Sequence, residues 1–298
     1  MSRVADMAPT VGCADGGRLG FLALGLGYLL LIAVCLWSFA ASGDLSGGRN
    51  PLANLQKTFA EFASPSFLDL WFGNPRLEYR SDDGSLLRVE DRRSVEADFL
   101  GELAQASWTT FRIATLGSLL GALLGLPLAL LTARNLGAPR AAAWLAKAVL
   151  DGMRSIHTLV FGLVLVGIVG LGPSAGILAI ALHSSGTYGK LFAESIESLD
   201  MAAIDAVRGV GASPLQVFFN AVWPSVLPQF VSSHLYVWEF NIRDSTILGI
   251  VGAGGLGLLI SEATALFQWG RLSTILLVVV LLVASFDALS RRIRQALQ

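Results

Sequence analysis

The sequence predicts an all-α membrane protein, a polytopic bundle of about six transmembrane spans with a helix-turn-helix between two of them. Apolar residues make up 54% of the 298 residues and charged residues only 14%, and the mean hydropathy is +0.63. A soluble domain carries a larger share of charge. Apolar runs long enough to cross a bilayer also alternate with shorter polar segments. Both observations exclude a soluble globular enzyme as the fold class.

The chain begins with a polar tail, residues 1–18, followed by an apolar run, Leu19–Ala41. The run is too long for a signal-peptide core and lacks a small-residue cleavage site, so we expect a retained first span. Cys13 in the tail and Cys35 in the span are not expected to pair, and they predict neither a disulfide nor a thiolate metal site.

Residues 42–101 form a polar insert, which we expect on the outer, periplasmic side of the membrane. Four apolar residues in it recur at helical spacing and predict an amphipathic helix at the membrane surface. They are Leu52, Leu55, Phe59 and Phe62. Further on, Arg76–Arg80 and Ser85–Val89 flank the turn-forming residues Ser81–Gly84 and predict a small β-hairpin.

Residues 102–298 are expected to form the membrane core, with five more spans. These are Trp108–Thr132, Ser155–Val169, Ser174–Tyr188, Ser225–Ile250 and Leu272–Leu289. The second span carries Gly117, Gly121 and Gly125 at four-residue spacing, which favours close approach of another helix. The alternative is that these are scattered small residues of a membrane helix.

A loop over residues 194–224 separates the fourth and fifth spans. Asp200 is a good N-cap for a short helix over Met201–Arg208, and Gly209 and Gly211 are expected to end it, because glycine accepts the left-handed conformation of a helix stop.

A second helix is expected to begin with Ser213 as N-cap, Pro214 at its first position and Gln216 completing a capping box. Pro224 is expected to stop it. Firm caps and an apolar face suggest a pair that docks on another protein, although a merely helical loop remains the alternative. The residues of that face are Val217, Phe218 and Val222.

Basic residues of the short loops fall on one side of a six-span bundle, which identifies that side as cytoplasmic. They are Arg134, Arg140, Lys190, Arg208 and the Arg291–Arg294 cluster. Both termini and the loop over residues 194–224 then lie in the cytoplasm of a bacterial inner-membrane protein.

The fifth span holds several polar groups at membrane depth, where ionisable residues are costly and usually face a bundle interior or a pathway. Glu239 and Arg243 are four residues apart and lie on one helix face. Either Arg243 is neutralised by Glu239 or Asp244 and only holds helices together, or its guanidinium serves an anion in the pathway. Asn241 and Ser245 belong to the same candidate pathway.

The fourth span carries a polar run beginning with His183, Ser184 and Ser185. Such a run either packs on neighbouring helices through hydrogen bonds or lines a wet cavity. For His183 a satisfied interhelical histidine is the plainer interpretation, and contact with a transported anion is the functional one.

Residues 252–257 match the pattern G-x-G-x-x-G, but no strand precedes them and no βαβ unit surrounds them, so we reject a dinucleotide site. A break in the backbone at the outer mouth fits better, and we predict a gate hinge there. Its glycines are Gly252, Gly254, Gly255 and Gly257.

No catalytic set, metal cluster or phosphate-binding loop is recognisable in the sequence, and its three histidines are too scattered for a metal site. We therefore expect no enzyme activity, no metal and no cofactor in this chain. A net charge of −1 gives no indication of a nucleic-acid partner.

The helical loop resembles the "EAA" loop of ATP-binding-cassette importer permeases. Asp205-Ala206-Val207, Gly211 and Ala221–Pro224 follow that family's spacing, with Asp for Glu, Val for the second Ala, and Ala and Trp in the final motif. The resemblance implies that this loop couples the permease to a separate cytoplasmic ATPase. The implied coupling residues are Asp205, Ala206, Val207, Gly211, Ser213, Pro214 and Pro224.

From about Trp108 to the end the chain looks like the phosphonate and phosphite importer permeases (PhnE type). Gly170–Pro173, Leu178–His183, Gly189–Glu194 and Glu239–Gly255 carry this resemblance. It implies a homodimer, two ATPase subunits that bind ATP and Mg²⁺, and a periplasmic binding protein that delivers phosphonate, phosphite or hypophosphite. The alternatives are an importer for another anion such as phosphate, and a membrane scaffold or embedded enzyme.

Overall fold

The computed structural model describes residues 15–42, 51–72, 76–80 and 86–297. The chain divides into two compact units, Met1–Thr58 and Phe59–Gln298. Most of the predicted polar tail, including Cys13, and the predicted hairpin turn Ser81–Gly84 lie outside the described residues.

Helix α1, Asp15–Ala41, contains the predicted first span, and its apolar side chains are exposed from Phe21 onward. Helix α2, Pro51–Phe62, carries the four apolar residues singled out in the insert. All four side chains are exposed, so α2 presents an apolar face that the described protein residues do not cover.

The rest of the insert is compact. A 3-10 turn, Ser66–Leu68, leads into the short helix α3, Asp69–Phe72. Strands β1, Arg76–Arg80, and β2, Leu86–Asp91, pair antiparallel with Arg76 opposite Asp91. The predicted hairpin is therefore confirmed, with the second strand beginning one residue later and ending two residues later than expected.

Helix α4, Arg92–Thr132, has 41 residues, whereas the sequence predicted a span over only its last 25. It begins early because the Asp91 side chain accepts a hydrogen bond from the Arg93 amide at 3.1 Å, which caps the helix at the end of β2. At about 1.5 Å per residue α4 is about 60 Å long, twice the roughly 30 Å of a hydrocarbon core. Its charged first turns therefore project beyond the bilayer on the insert side.

Eight more helices follow. They are α5 (Arg140–Ser155), α6 (Thr158–Val169), α7 (Pro173–Glu197), α8 (Met201–Gly209), α9 (Pro214–Val217), α10 (Trp223–Leu248), α11 (Leu256–Ala265) and α12 (Trp269–Leu297). Among the described residues α1, α4 and α12 are long and apolar enough to cross a membrane, and there are up to five crossings if α5–α6 and α9–α11, bent by 90° and 59°, each form one. Helix α7, which contains the predicted fourth span, is too polar to be among them.

Helix α7 is the centre of the bundle and packs against α4, α5, α6 and α10. The α4–α7 contact confirms the predicted glycine face. A Cβ on Gly117 would lie 2.7 Å from the Ile180 Cβ, and one on Gly125 would lie 2.7 Å from the Ser185 carbonyl oxygen. Only glycine permits this distance between the helices, and it allows the polar side chains of α7 to be enclosed by protein rather than lipid.

Pro224 does not stop the second loop helix, contrary to prediction. Helix α9 passes through a π-helical turn, Phe218–Val222, directly into α10, and Pro224 lies in the first turn of α10. Proline lacks the amide that would bond one turn back and its ring crowds that carbonyl. A wider turn just before it accommodates both effects without breaking the helix.

Candidate functional site

The helix-turn-helix has the caps that its sequence indicates. The Asp200 carboxylate accepts from the Ala202 amide at 3.0 Å. The Ser213 hydroxyl accepts from the Gln216 amide at 3.4 Å, while the Gln216 side chain accepts from the Ser213 amide at 2.8 Å. Gly211 has φ +82°, the left-handed conformation that separates α8 from α9. Gly209, in contrast, is the last residue of α8.

The predicted docking face of this pair points inward, which corrects the sequence interpretation. Val217 and Val222 are buried in a cluster with Ile204 and Ala221, because the two short helices fold against each other. Phe218 packs at the edge of the same cluster. The surface left for another protein carries Val210, Leu215 and Phe219, which are 84%, 71% and 62% exposed.

The three residues that match the EAA pattern lie on α8 near this surface. Asp205 and Ala206 are exposed and Val207 is half-buried. Asp205 forms a 3.5 Å ion pair with Arg208 on the same helix. The loop thus presents an acidic side chain as well as exposed apolar ones, a composition suited to protein contact.

A cavity of about 230 Å³ between α7 and α10 brings together three predicted pathway residues, His183, Ser184 and Asn241. Asn241 is buried and its amide donates to the hydroxyls of Ser118 and Ser184 at 2.8 and 2.9 Å. This network joins α4, α7 and α10 and holds the polar wall of the cavity in one arrangement.

Two further polar side chains line this cavity. Thr187 belongs to the polar run of the fourth span but was not singled out, and Tyr236 was missed entirely. Among the described residues neither hydroxyl has a hydrogen-bond partner, so both are available to a ligand. Tyr236 lies five residues before Asn241 on the same helix, and this spacing alone does not place its side chain at a cavity.

His183 and two further residues assigned to the pathway, Ser185 and Ser245, form hydrogen bonds within the bundle. His183 Nδ1 lies 2.8 Å from the Ile156 carbonyl oxygen at the α5–α6 bend. The Ser185 hydroxyl donates to the Leu182 carbonyl at 2.7 Å, and that of Ser245 donates to the Ile242 carbonyl at 2.7 Å. Both serines are fully buried, which places them in the packing and not at a cavity wall.

Arg243 lies at a different cavity, of about 460 Å³, between α10 and α12. Its guanidinium is 3.2 Å from Glu239 Oε1, as the four-residue spacing predicts, and Arg294 approaches Glu239 Oε2 at 3.9 Å. Asp244 instead accepts a 2.7 Å hydrogen bond from Thr158. No residue lines both cavities, so the structure separates Arg243 from His183 and Asn241.

The glycine-rich segment forms a sharp corner between α10 and α11, in a π-helical turn over Gly249–Ala253. Gly252, Gly254 and Gly255 have φ values of +100°, +80° and +73°. Gly257 packs directly on the start of this turn, where a Cβ would lie 2.6 Å from the Gly249 Cα. The corner has the conformation that only glycines adopt readily, in keeping with a hinge.

Two long-range hydrogen bonds hold this corner. The Thr110 hydroxyl of α4 accepts from the Leu256 amide at 2.8 Å, and the Gly172 amide donates to the Gly252 carbonyl at 2.9 Å. Thr110 is fully buried and satisfies the first orphan amide of α11. Nothing in the sequence pointed to Thr110, because its partner is 146 residues away.

Within the described residues no group of three or more His, Cys, Asp or Glu side chains is placed to hold a metal ion. The chemistry available at the two cavities is hydrogen bonding and ion pairing.

Residues 125–298 match the family model described as "Binding-protein-dependent transport system inner membrane component". Two relatives from Stutzerimonas stutzeri are each 38% identical. The putative phosphite transport system permease protein HtxC aligns over 65% of this chain and 69% of its own length. The phosphite transport system permease protein PtxC aligns over 62% and 68%. The phosphate-import permease protein PhnE of Mycolicibacterium smegmatis is 37% identical over 67% of this chain and 38% of its own length.

Solved structures share the fold. A chain from an inward-facing crystal structure of the MetNI methionine ABC transporter superposes with a TM-score of 0.61 at 24% identity, covering 67% of this chain and 98% of that chain. The chain belongs to the family of inner-membrane components of binding-protein-dependent transport systems, and it is a multi-pass permease subunit of an ATP-binding-cassette importer.

Proposed function

We propose that this permease imports a phosphonate-type oxyanion: phosphonate, phosphite or hypophosphite. The observation that carries the substrate class is the 38% identity to two relatives named as phosphite transport permeases, over about two thirds of each. The family model covers residues 125–298, which are most of the membrane core, where a substrate would pass.

The cavity between α7 and α10 supports an anionic, hydrogen-bonding substrate. It presents the free hydroxyls of Thr187 and Tyr236 and the His183 ring, and no carboxylate lines it. Hydroxyl donors without a competing carboxylate suit a small oxyanion, since each oxygen accepts hydrogen bonds and no negative charge repels it.

The assembly we infer is a permease homodimer with two ATPase subunits, which bind ATP and Mg²⁺, and a periplasmic binding protein. The capped loop Asp200–Val222 is the proposed seat of the ATPase, because Val210, Leu215 and Phe219 are exposed on it. The basic residues of the short loops support a cytoplasmic location for both termini.

Transport proceeds by alternating access. Closure of the two ATPases on ATP moves the capped loops and opens the outer mouth, at the glycine-rich corner, to the loaded binding protein. Hydrolysis then resets the transporter. Because α9 and α10 are continuous, movement of the loop reaches the cavity along one helix.

Uptake in proteoliposomes decides between the two cavities. If the α7–α10 cavity is the pathway, Tyr236→Phe and Thr187→Val raise the KM for phosphite about tenfold, because each removes one hydrogen bond to a charged group. If Arg243 serves the anion, Arg243→Gln abolishes uptake while the purified complex stays assembled. Gly101→Ala, whose added methyl group meets nothing within 4 Å and which lines neither cavity, is the control for expression and reconstitution.

A second candidate substrate is phosphate, which the name of the relative from Mycolicibacterium smegmatis supports. Calorimetric titration of the cognate binding protein with phosphonate, phosphite, hypophosphite and phosphate ranks the four. Tightest binding of phosphate would replace the phosphonate-type assignment, and binding of none of them would reject the oxyanion class.

A further inference from the structure

The hydrogen-bonding role of His183 at the cavity between α7 and α10 depends on where its proton lies. Its Nδ1 is 2.8 Å from the Ile156 carbonyl oxygen. A carbonyl oxygen only accepts hydrogen bonds, so Nδ1 must carry a hydrogen and donate it. In the neutral ring the second nitrogen, Nε2, is then an acceptor without a hydrogen, and it has no hydrogen-bond partner among the described residues.

The bend between α5 and α6 fixes this arrangement. Ile156 has extended backbone angles, φ −95° and ψ 125°, and ends α5. A carbonyl at a helix end lacks a partner in its own helix and takes one from a neighbouring element. The adjacent His157 ring, centred 6.3 Å from that of His183, is also held, because its Nδ1 accepts from the Leu159 amide at 3.2 Å. The fold therefore holds the His183 ring in one orientation and leaves Nε2 for a ligand.

The other polar groups of this cavity either can donate a hydrogen bond or are already committed. The hydroxyls of Thr187, one turn along α7 from His183, and of Tyr236 on α10 can donate to a ligand oxygen. The Asn241 amide spends its hydrogens within the network that joins α4, α7 and α10. A ligand thus meets two hydroxyl donors and one nitrogen acceptor.

This set of groups matches a phosphorus oxyanion that keeps one proton. The monoanion offers bare oxygens to the two hydroxyls, and its P–OH group can donate to Nε2 of His183. The dianion has no P–OH group, so one of its oxygens would face the lone pair of a neutral Nε2. Two acceptors that face each other form no hydrogen bond, and the loss is larger for a charged oxygen than for a neutral one.

The carboxylates of the neighbouring helices are paired with other groups. Asp244 of α10 accepts a 2.7 Å hydrogen bond from Thr158, and Asp151 of α5 pairs with Arg154 at 2.8 Å. No described carboxylate lines the cavity, so an imidazolium at His183 would have none in the wall to pair with, whereas a P–OH group needs none. The other ionisable groups on the parts of α4, the α5–α6 bend and α10 that adjoin this part of α7 are Arg112, His157, His234, Tyr236, Glu239 and Arg243.

We propose that the cavity between α7 and α10 takes its oxyanion in the singly protonated form, with the P–OH group donating to Nε2 of His183. The proposal rests on the proposed function and narrows it to one protonation state of the substrate. Phosphite and phosphonates have a second ionisation, as a phosphate monoester has at about pH 6. Hypophosphite has a single ionisable group, so its anion lacks the P–OH group and gains nothing from a neutral His183.

Two substitutions separate the roles of the two ring nitrogens. In His183→Asn the amide nitrogen stands near the place of Nδ1 and can still donate to Ile156, but nothing replaces Nε2. In His183→Gln the amide reaches the place of Nε2, where its oxygen or its nitrogen can turn to the ligand without any proton being taken up. His157→Asn is the matched control, because it removes an imidazole beside the cavity and keeps a good helix N-cap.

Initial uptake rates are measured in proteoliposomes with saturating, fully loaded binding protein, across the pH range of the second ionisation of the ion. The rate of the parent chain divided by that of His183→Asn isolates Nε2, since the binding protein and the ATPase contribute equally to both rates. We expect a ratio of about ten where the ion is singly protonated, which falls to one or below as the ion becomes a dianion.

The midpoint of this fall should follow the ion. Methylphosphonate keeps its second proton to higher pH than phosphite, because the methyl group donates electron density, so its midpoint should lie at higher pH. The ratio for hypophosphite should stay near one. His183→Gln should exceed His183→Asn by a factor that does not change with pH. If His183→Asn does not assemble, the ratio of the parent chain to His183→Gln should show the same fall.

Three results would overturn the proposal. A ratio that does not change with pH would leave His183 with a structural role. A midpoint that is the same for both ions would place the proton on the imidazole instead. Loss of the pH dependence in His157→Asn would assign it to the neighbouring ring. Uptake of neither ion by the assembled parent transporter would instead reject the proposed function itself, so the two failures are distinguishable.

Discussion

At the scale of single residues, three glycines of α4 determine how closely that helix packs against α7. Gly117, Gly121 and Gly125 place α4 so close to α7 that any Cβ would contact α7 atoms at 2.7–3.0 Å. The contact encloses the polar residues of α7, and Asn241 then satisfies Ser118 and Ser184 across three helices.

We predict that Gly125→Ala lowers the midpoint of thermal unfolding, because the added methyl group meets the Ser185 and Gly189 backbone and forces the helices apart. Overpacking of this kind costs about 1–3 kcal/mol. Fluorescence-detected unfolding of the purified protein measures it. Gly101→Ala on the same helix meets nothing within 4 Å and should leave stability unchanged or raise it by up to about 1 kcal/mol. Equal effects of the two substitutions would contradict the close-approach argument.

Thr110 accepts the hydrogen bond that holds the start of α11 at the glycine-rich corner. Thr110→Val keeps the shape but leaves the buried Leu256 amide without an acceptor, at a cost of about 1–3 kcal/mol. We expect faster hydrogen exchange over Leu256–Leu259 and a lower unfolding midpoint. Thr110→Ser, which retains the hydroxyl, should restore protection at those amides. Unchanged hydrogen exchange in Thr110→Val would contradict a role for Thr110 in holding the glycine-rich corner.

At the scale of elements, the helix-turn-helix shows what local sequence determines. Asp200, the Ser213–Gln216 capping box and Gly211 were predicted from residue type and spacing alone, because caps are local interactions. The inward orientation of Val217 and Val222 was not predicted, since it depends on packing against Ile204 and against Leu136, which follows α4. Pro224 was misread because a π-helical turn has no simple sequence signal.

Gly211→Pro tests the turn of this element. Proline fixes φ near −65°, whereas Gly211 has φ +82°, so the substitution must distort the α8–α9 turn. We expect stimulation of ATPase activity by the loaded binding protein to fall at least tenfold while membrane insertion is retained. Gly209→Ala, within α8, is the matched control and should keep stimulation. Full stimulation in Gly211→Pro would refute the coupling role of the loop.

At the scale of the whole molecule, the sequence predicted the membrane bundle, the hairpin and the order of helices. Hydropathy and turn formation depend on residues that are close together in the sequence. It did not predict that α4 begins at Arg92, or that α7 is enclosed while its neighbours face lipid. Both depend on contacts between distant segments. For the same reason the sequence assigned Arg243 and His183 to one candidate pathway, whereas the structure places them at different cavities.

Orientation is the whole-molecule prediction. With Cys13 and Cys35 replaced, a membrane-impermeant maleimide should label Phe72→Cys in intact spheroplasts, and should label Val210→Cys only after permeabilisation. Both side chains are highly exposed, at 87% and 84%, so access of the reagent depends on the side of the membrane. Labelling of Val210→Cys in intact spheroplasts would place the capped loop on the outer side of the membrane and contradict its proposed contact with a cytoplasmic ATPase.

The unbroken helical run from Pro214 to Leu248 has a consequence for building hybrid transporters. Grafting the capped loop of another permease onto this chain also sets the rotational phase of the helix that carries Tyr236 and Asn241, since each residue added or lost turns an α-helix by about 100°. A chimera joined anywhere within that run must therefore preserve the number of residues as well as the residues that contact the ATPase. Otherwise the polar side chains of this helix will face the lipid.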